Sequence, residues 1–241
     1  MKELVTAFAA CAIAGMALAQ GTDSNVVGYN TLVSDGAYSM VGISFTECGS
    51  GDLTLDKLIG AFASGDEIQF PFTSGAKVDF VSYYYLTETD DGMPDGWYDG
   101  GWMYAGDVVD LPQGDAVWYY SASGLKDVTV AGEVSKKLFN KTFVDPYTMT
   151  SSGFPCVFNP NDSKFTWGAS SGDEIQIPFT AGAKVDFVSY YYLTETDDGM
   201  PNGWYDGGWD AINTTIAVAG QGFWVYSQNG GSMAETSPIA D

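Results

Sequence analysis

The chain has 241 residues, with 31 acidic side chains, nine lysines, no arginine and no histidine, and a formal net charge of −22. A chain with this charge repels polyanions, which excludes nucleic acid as a partner and disfavours anionic membrane surfaces. Without histidine, the Ser-His-Asp and Cys-His mechanisms and His-rich zinc sites are excluded as well.

The chain opens with an apolar segment that predicts export. Residues 4–18 are mostly apolar, and Ala17-Leu18-Ala19 has the small-x-small form that signal peptidase cuts. We therefore expect a signal peptide at 1–19 and a secreted protein, extracellular or at the cell surface, with the periplasm as an alternative. A transmembrane helix needs about 20 apolar residues, and a lipid anchor at Cys11 would leave too short an export signal. No second apolar segment follows, so no membrane insertion is expected.

Short runs rich in Val, Tyr, Phe and Trp, separated by Gly, Asp, Asn and Ser, predict an all-β fold. The first predicted strands are Val26–Val33, Ala37–Phe45, Glu67–Pro71, Lys77–Thr87, Gly96–Met103, Asp115–Ser121 and Asp127–Glu133. Those that follow are Ser135–Phe143, Met149–Phe158, Glu174–Pro178, Lys184–Thr194, Gly203–Trp209 and Gly222–Ser227. One short helix is predicted at Leu53–Ala61 from apolar residues at helical spacing.

The segment Ser64–Trp102 recurs at Ser171–Trp209 with 36 of 39 residues identical. An internal duplication predicts two copies of one structure. We therefore expect two tandem β-sandwich-like repeats of about 105 residues each, repeat 1 at 20–131 and repeat 2 at 132–241.

The segment Val78–Leu86 is expected to form a strand with large side chains on both faces, since successive side chains alternate. The faces carry Phe80, Tyr84 and Leu86 on one side, and Val81, Tyr83 and Tyr85 on the other. Such a strand is central, or its second face is covered by the partner sheet of a sandwich, by the other repeat or by a ligand.

Two cysteines remain beyond the leader, Cys48 and Cys156, at similar places in the two repeats. In an oxidising compartment an even pair predicts a disulfide. The alternative is two buried thiols that lie too far apart to join.

The two repeats differ at their ends. Repeat 1 closes with the strand-like Asp127–Val134, whereas repeat 2 ends in Gly230–Glu235, so we expect repeat 2 to lack its last strand and to leave an open sheet edge. Residues 25–32 are predicted to fill this edge, from the same molecule or from a neighbour. Self-association through this edge, in an extracellular or cell-surface assembly, is the first functional hypothesis.

Four segments carry a resemblance to a known family: residues 25–29, 36–42, 111–118 and 128–134. On these segments the chain resembles a family of secreted tandem β-repeat proteins of Gram-negative bacteria for which no activity is assigned. The resemblance covers most of repeat 1 and less of repeat 2. It implies secretion and β architecture and carries no reaction.

The acidic loop Thr87–Trp97, repeated at Thr194–Trp204, is a candidate calcium site, because calcium takes closely spaced carboxylates around a glycine turn. Its second half resembles thrombospondin type 3 calcium repeats, but Thr87 and Thr89 stand where those carry aspartates. The candidate ligands are Asp90, Asp91, Asp95, Asp197 and Asp198. The alternative is an acidic turn in which Gly and Asp supply the backbone conformations.

A set of aromatic side chains near these loops is the basis of a second functional hypothesis. The set consists of Trp97, Tyr98, Trp102, Trp204, Tyr205 and Trp209. Flat rings can stack on sugar rings, so two near-identical loops predict a bivalent carbohydrate-binding protein. The alternative is that these rings fill the core.

Catalysis is the third hypothesis. A glycosidase needs two carboxylates, and this chain has many, but nothing in the sequence marks one of them as buried or paired. Two near-identical segments suit repetition better than one asymmetric active centre. The sequence therefore favours a secreted structural or interaction protein that is not an enzyme.

Overall fold

The structure is a computed structural model that describes residues 26–32, 38–48, 51–74, 77–122, 124, 126–143, 146–181 and 184–239. The predicted signal peptide at 1–19 lies outside these residues. The described chain is nearly all β and forms several antiparallel sheets, which confirms the predicted fold class. None of its helices is long and apolar enough to cross a bilayer.

The first half of the chain contains strands β1 to β10 and one four-residue helix. The bounds are β1 Val27–Leu32, β2 Tyr38–Gly42, β3 Leu53–Thr54, β4 Leu58–Gly60, β5 Glu67–Ser74, β6 Lys77–Leu86, α1 Glu88–Asp91, β7 Gly96–Tyr98, β8 Asp110–Leu111, β9 Ala116–Tyr120 and β10 Val128–Glu133. A five-stranded sheet has the order β2-β9-β5-β6-β7, and a three-stranded sheet has the order β1-β10-β4. The short strands β3 and β8 pair with each other.

The second half contains β11 to β18 and a second four-residue helix. The bounds are β11 Phe139–Phe143, β12 Tyr147–Ser151, β13 Phe165–Gly168, β14 Glu174–Ala181, β15 Lys184–Leu193, α2 Glu195–Asp198, β16 Gly203–Tyr205, β17 Gly222–Tyr226 and β18 Gly231–Glu235. Its sheets have the orders β12-β17-β14-β15-β16 and β11-β18-β13. Each sheet therefore matches one in the first half, strand for strand.

The core joins the two sheets of each half. Buried apolar side chains from the five-stranded sheet, such as Ile68 and Val117, belong to one cluster with Val128 and Val130 of the three-stranded sheet. This cluster continues into the second half through Phe139 and its neighbours. Burying one face of each sheet against the other is how two layers exclude water from a β core.

The face of the long strand β6 that carries Phe80 is covered along the strand, whereas the other face is covered at Tyr83 and Tyr85 but not at Val81, which is 43% exposed. Tyr83 and Tyr85 pack on the main core, whereas Val78 and Phe80 pack on a second cluster that contains Met149 of the other half. The cover on one face is the partner sheet, and on the other face it is the other half of the chain.

The two halves meet through reciprocal contacts. The Phe80 ring lies 6.5 Å from the Trp224 ring, and the Trp118 ring lies 6.5 Å from the Phe187 ring. Since Phe80 corresponds to Phe187 and Trp118 to Trp224, these are the same contact made twice, as in a two-fold symmetric interface.

Backbone hydrogen bonds between the halves repeat this symmetry. The Gly42 amide donates to the Gly220 carbonyl at 2.8 Å, and the Ser151 amide donates to the Gly114 carbonyl at 2.9 Å. A Cβ atom on Gly42 would lie 2.5 Å from the Ser151 Cβ, so the close approach of the halves depends on that glycine.

Two predictions about secondary structure are wrong. The helix expected at Leu53–Ala61 is instead β3, one 3-10 turn and β4. The last strand expected to be missing from the second half is present as β18, which pairs with β11 and β13 as β10 pairs with β1 and β4. The predicted vacancy does not exist, and β1 pairs within its own half.

Candidate functional site

Two exposed hairpin tips are the best candidate for a binding site. The first tip is residues 99–103, after β7, and the second tip is residues 206–210, after β16. In the first tip the Asp99 carboxylate accepts the Gly101 and Met103 amides, both at 2.8 Å. In the second tip Asp206 does the same for Gly208 and Asp210, at 2.8 and 3.0 Å. An aspartate thus fixes each turn by binding the backbone that follows it.

Each tip presents one tryptophan to solvent from an unusual backbone conformation. Trp102 has φ 64° and is 61% exposed, and Trp209 has φ 67° and is 57% exposed. In the part of the chain that the structure describes, they are the two non-glycine residues at positive φ. That conformation disfavours residues with a Cβ atom, most of all bulky ones.

The other four aromatic residues proposed to bind ligand are buried, so this part of the prediction needs correction. Trp97 and Trp204 are 1% and 0% exposed, and Tyr98 and Tyr205 are also in the core. They lie on β7 and β16, where Trp97 packs on the ring of Tyr85 at 5.2 Å. Rings held in the core cannot stack on a ligand, so only Trp102 and Trp209 remain from the predicted set.

The second tip lies beside an open polar cleft. Tyr190, Asp206, Asp210, Asn213 and Thr214 are among the residues that line it. Burial and the charge of Asp206 raise the pKa of Tyr190, so this phenol is protonated and can donate a hydrogen bond. The cleft offers hydroxyl, amide and carboxylate groups. Trp209 does not line it, because its ring packs on Tyr191, on the opposite face of β15 from Tyr190.

The first tip has a more apolar surround. Met103 and Tyr104 are exposed beside Trp102, where the second tip has Asp210 and Ala211. The Tyr104 hydroxyl donates to the Asp56 carboxylate. This bond to the carboxylate raises the pKa of Tyr104 to about 12. The two tips share their tryptophan and differ in the side chains around it.

The acidic loops form small capped helices, which is the turn alternative to the predicted calcium site. The Thr87 hydroxyl accepts the Asp90 amide at 3.2 Å, and the Asp91 carboxylate accepts the Thr87 amide at 2.9 Å. Thr194, Asp197 and Asp198 repeat these bonds in the second half. Such reciprocal bonds satisfy the free amides of a helix start. Among the described residues, no three acidic or cysteine side chains come together in a group that could hold a metal ion.

The exchange of Asp95 for Asn202 fits this structural role. Asp95 accepts the Glu88 amide through one carboxylate oxygen at 2.9 Å, and Asn202 accepts the Glu195 amide through its carbonyl oxygen at the same distance. The loop needs one oxygen acceptor at this position, which either residue supplies.

The two cysteines are free thiols, so the predicted disulfide is not formed in the structure. Cys48 is exposed, whereas Cys156 is half-buried beside Lys164 and Glu235, with its sulfur 3.3 Å from the Glu235 carboxylate. Sequence reasoning missed this polar cluster because it missed β18, the strand that carries Glu235. The alternation of β18, with Met233 and Glu235 on its buried face, was the signal that could have revealed it.

Comparison of the chain with protein-family models, with curated proteins and with solved structures gave no match. The resemblance to secreted tandem β-repeat proteins therefore stays a prediction. The geometry of the two tips is therefore the basis for the proposed function.

Proposed function

We propose that this is a secreted interaction protein that binds polysaccharide at two sites, with Trp102 and Trp209 as the stacking platforms. The observation that carries the proposal is the pair of exposed tryptophans in left-handed backbone conformation. Both tips hold the ring outside the core, where it contributes little to burial of apolar surface.

The backbone conformation supports a role in binding. A bulky residue at positive φ costs on the order of 1 to 3 kcal/mol, which only surrounding contacts can impose. Glycine would remove this cost, and the sequence places glycines at the two preceding positions of each tip. Trp209 packs on the Tyr191 ring at 5.9 Å, but more than half of the surface of each tryptophan is exposed. We therefore assign the exposed ring surface to a ligand.

The surroundings favour a saccharide. A sugar has C–H faces that stack on a flat ring and hydroxyl groups that need hydrogen-bond partners. At the second tip, Asp210 follows Trp209 in the chain and supplies such a partner, and it also lines the cleft with Asn213 and Thr214. A few polar groups around an aromatic surface are typical of small-ligand sites, and the acidic chain would repel an anionic partner.

Two tips on one chain suit a repetitive ligand. A polymer that reaches both tips is bound with avidity, because the second contact is intramolecular once the first has formed. Assembly by strand donation is not part of the proposal, since β18 occupies the edge on which that hypothesis depended.

The proposal is tested with glycine substitutions at the two tryptophans. A glycan array probed with the full chain identifies the saccharide, and affinity electrophoresis in the matching polysaccharide then compares wild type with Trp102→Gly, Trp209→Gly and the double variant. We expect each single variant to bind the polymer about 100-fold more weakly, through loss of avidity, and the double variant to lose binding. Thermal stability should stay equal or rise, because glycine relieves the strain.

Tyr29 provides the matched control. It is an exposed aromatic residue on β1, 73% accessible and outside both tips, so Tyr29→Ala should leave binding unchanged. Full binding by the double glycine variant, or an array on which the wild type retains no saccharide, would overturn the proposal.

A further inference from the structure

A polar cluster in the second half is not used by the tips. It touches the interface between the halves through the Ser152 carbonyl, which accepts the Ser44 hydroxyl at 3.0 Å. It consists of Ser152, Cys156, Lys164 and Glu235. Glu235 lies on β18 with 0% exposure, Cys156 and Lys164 lie in the segment between β12 and β13, and Ser152 follows β12. β18 brings the acid under the segment that carries the thiol and the amine.

Glu235 is held by several donors. The Ser152 hydroxyl lies 2.9 Å from each carboxylate oxygen, and the Gly153 amide donates to one of them at 2.8 Å. Lys164 Nζ lies 3.5 Å from the same carboxylate. A buried carboxylate needs such partners, because an unpaired buried charge is very costly.

The closest polar contact of Cys156 is with the lysine. Lys164 Nζ lies 2.7 Å from Cys156 Sγ, while the thiol lies 3.3 Å from a Glu235 oxygen. The distance of 2.7 Å is short for a contact of nitrogen with the larger sulfur atom. A single bridging atom between nitrogen and sulfur would hold the two at about this separation, whereas a direct bond between them would require them to move much closer.

We propose that Cys156 and Lys164 form a covalent N–O–S bridge when the protein is exposed to dioxygen. The thiol, the neutral amine and one O₂ give S–O–NH and one water: the S–H bond and one N–H bond break, and the S–O and O–N bonds form. Sulfur and nitrogen each give up two electrons, and O₂ takes all four. One oxygen atom stays in the bridge, and the other leaves as water with the two hydrogens.

Glu235 supplies the proton acceptor that this step needs. Lysine is normally an ammonium group and must lose a proton before its nitrogen can bond to oxygen. The Glu235 carboxylate lies next to it and, once protonated, is a neutral group in a buried place, where the charged form is disfavoured. Burial raises the pKa of Glu235, which favours this proton transfer. At Lys164 the lowering by burial is outweighed by the contacts with Cys156 and Glu235, so the pKa of the amine is raised, which opposes the transfer.

The cluster is also accessible to a small oxidant. The Lys164 side chain is 25% exposed, and Cys156 is half-buried rather than enclosed. Burial raises the pKa of the Cys156 thiol, so the thiolate is a minor form and the sulfur reacts slowly with dioxygen. An oxidised sulfur would meet the adjacent amine before any second thiol, since Cys48 lies in the other half.

Intact-protein mass spectrometry tests the bridge. The full chain is held in air-saturated buffer, in anaerobic buffer and in air followed by dithiothreitol. We expect the aerobic sample to be about 14 Da heavier than the reduced chain, from one added oxygen and two lost hydrogens, and dithiothreitol to reverse the change. Trypsin should then fail to cut after Lys164 and should give a single peptide 142–184.

Three variants make the assignment specific. Cys156→Ser removes the sulfur, and Lys164→Arg keeps the positive charge but removes the primary amine. Neither variant should show the mass increase of about 14 Da in air. Cys48→Ser should keep it, because Cys48 is the exposed thiol of the other half.

Three results would overturn the proposal. These are an unchanged aerobic mass, a gain of about 16 or 32 Da that marks oxidation of sulfur alone, and a loss of about 2 Da that marks a Cys48–Cys156 disulfide.

Discussion

The two halves of the chain share their strand order and differ in where they bury charge. In the first half Asp66 is fully buried and accepts the Tyr119 hydroxyl, the Ala122 amide and the Lys126 ammonium at 2.9 to 3.0 Å. Its counterpart Asp173 is also buried and accepts the Ser170 amide, as Asp66 accepts the Ala63 amide. The difference is that Val225 stands where the first half has Tyr119.

The second half buries a different acid. Glu235 is the fifth residue of β18, and the fifth residue of β10 is Gly132, where a Cβ atom would lie 2.5 Å from the Thr46 carbonyl oxygen. One fold thus tolerates a buried acid–lysine pair in two different places. The apolar cores and the strand pairing specify the shared fold, and the buried ion pairs are particular to each half.

The prediction with the largest expected effect concerns the buried tryptophan that both halves share. Trp97→Ala and Trp204→Ala should each reduce the free energy of unfolding by about 3 to 5 kcal/mol, because a buried tryptophan leaves a large cavity. Both rings pack in the same way: Trp97 on Tyr85 at 5.2 Å and Trp204 on Tyr192 at 5.3 Å. Urea denaturation measures the loss.

The exposed tryptophan of the first tip is the control for this comparison. Trp102→Ala should change the free energy of unfolding by no more than about 0.5 kcal/mol, as is usual for surface positions. If Trp97→Ala reduced the free energy of unfolding as little as Trp102→Ala, the repeated hairpins would not anchor the core.

The prediction with the next largest expected effect concerns the buried Asp66–Lys126 ion pair, which has no counterpart at Asp173 among the described residues. Asp66→Asn should lower the free energy of unfolding by about 3 kcal/mol, because it leaves Lys126 without its charged partner and turns an acceptor into a donor. Asp173→Asn, at the matching position, should cost about 1 kcal/mol, since Ser170 donates to it through one backbone amide. Equal losses at the two positions, measured by urea denaturation at neutral pH, would contradict the difference described between the halves.

Sequence reasoning found most of the strands because alternation and turn residues are local signals. It failed at Leu53–Ala61, where a short apolar run fits a helix and a strand equally well. The structure has strands here, with side chains on alternate faces: Leu58 faces the core, but Ile59, next to it, is 57% exposed. It also failed at β18, since Gly231 and Ser232 have low strand propensity and are held by pairing with strands far away in the chain.

At the candidate site, the repeated sequence identified the right segments but not which rings face outward. Trp97 and Trp102 lie five residues apart in the same segment, yet one is in the core and the other is at the tip. The backbone reverses at the Gly100-Gly101 turn, and that reversal decides the direction of each ring. The partners of Glu235 come from residues about 80 positions earlier, a distance at which a single sequence gives no contact information.

The smallest effect concerns the acid that is particular to the second half. Burial raises the pKa of Glu235 above its ordinary value of 4.5. Between the ordinary and the raised value, the folded chain binds more protons at this site than the unfolded chain, so this residue makes stability fall as the pH rises through that window. Glu235→Gln removes the titration. The stability of this variant relative to wild type should therefore improve from pH 4 upwards and level off once Glu235 is ionised in both states. Urea midpoints of both proteins across this range measure the difference. If the variant kept a constant difference from wild type, or lost stability relative to wild type as the pH rises, the Ser152, Gly153 and Lys164 donors would balance or outweigh the cost of burying this carboxylate.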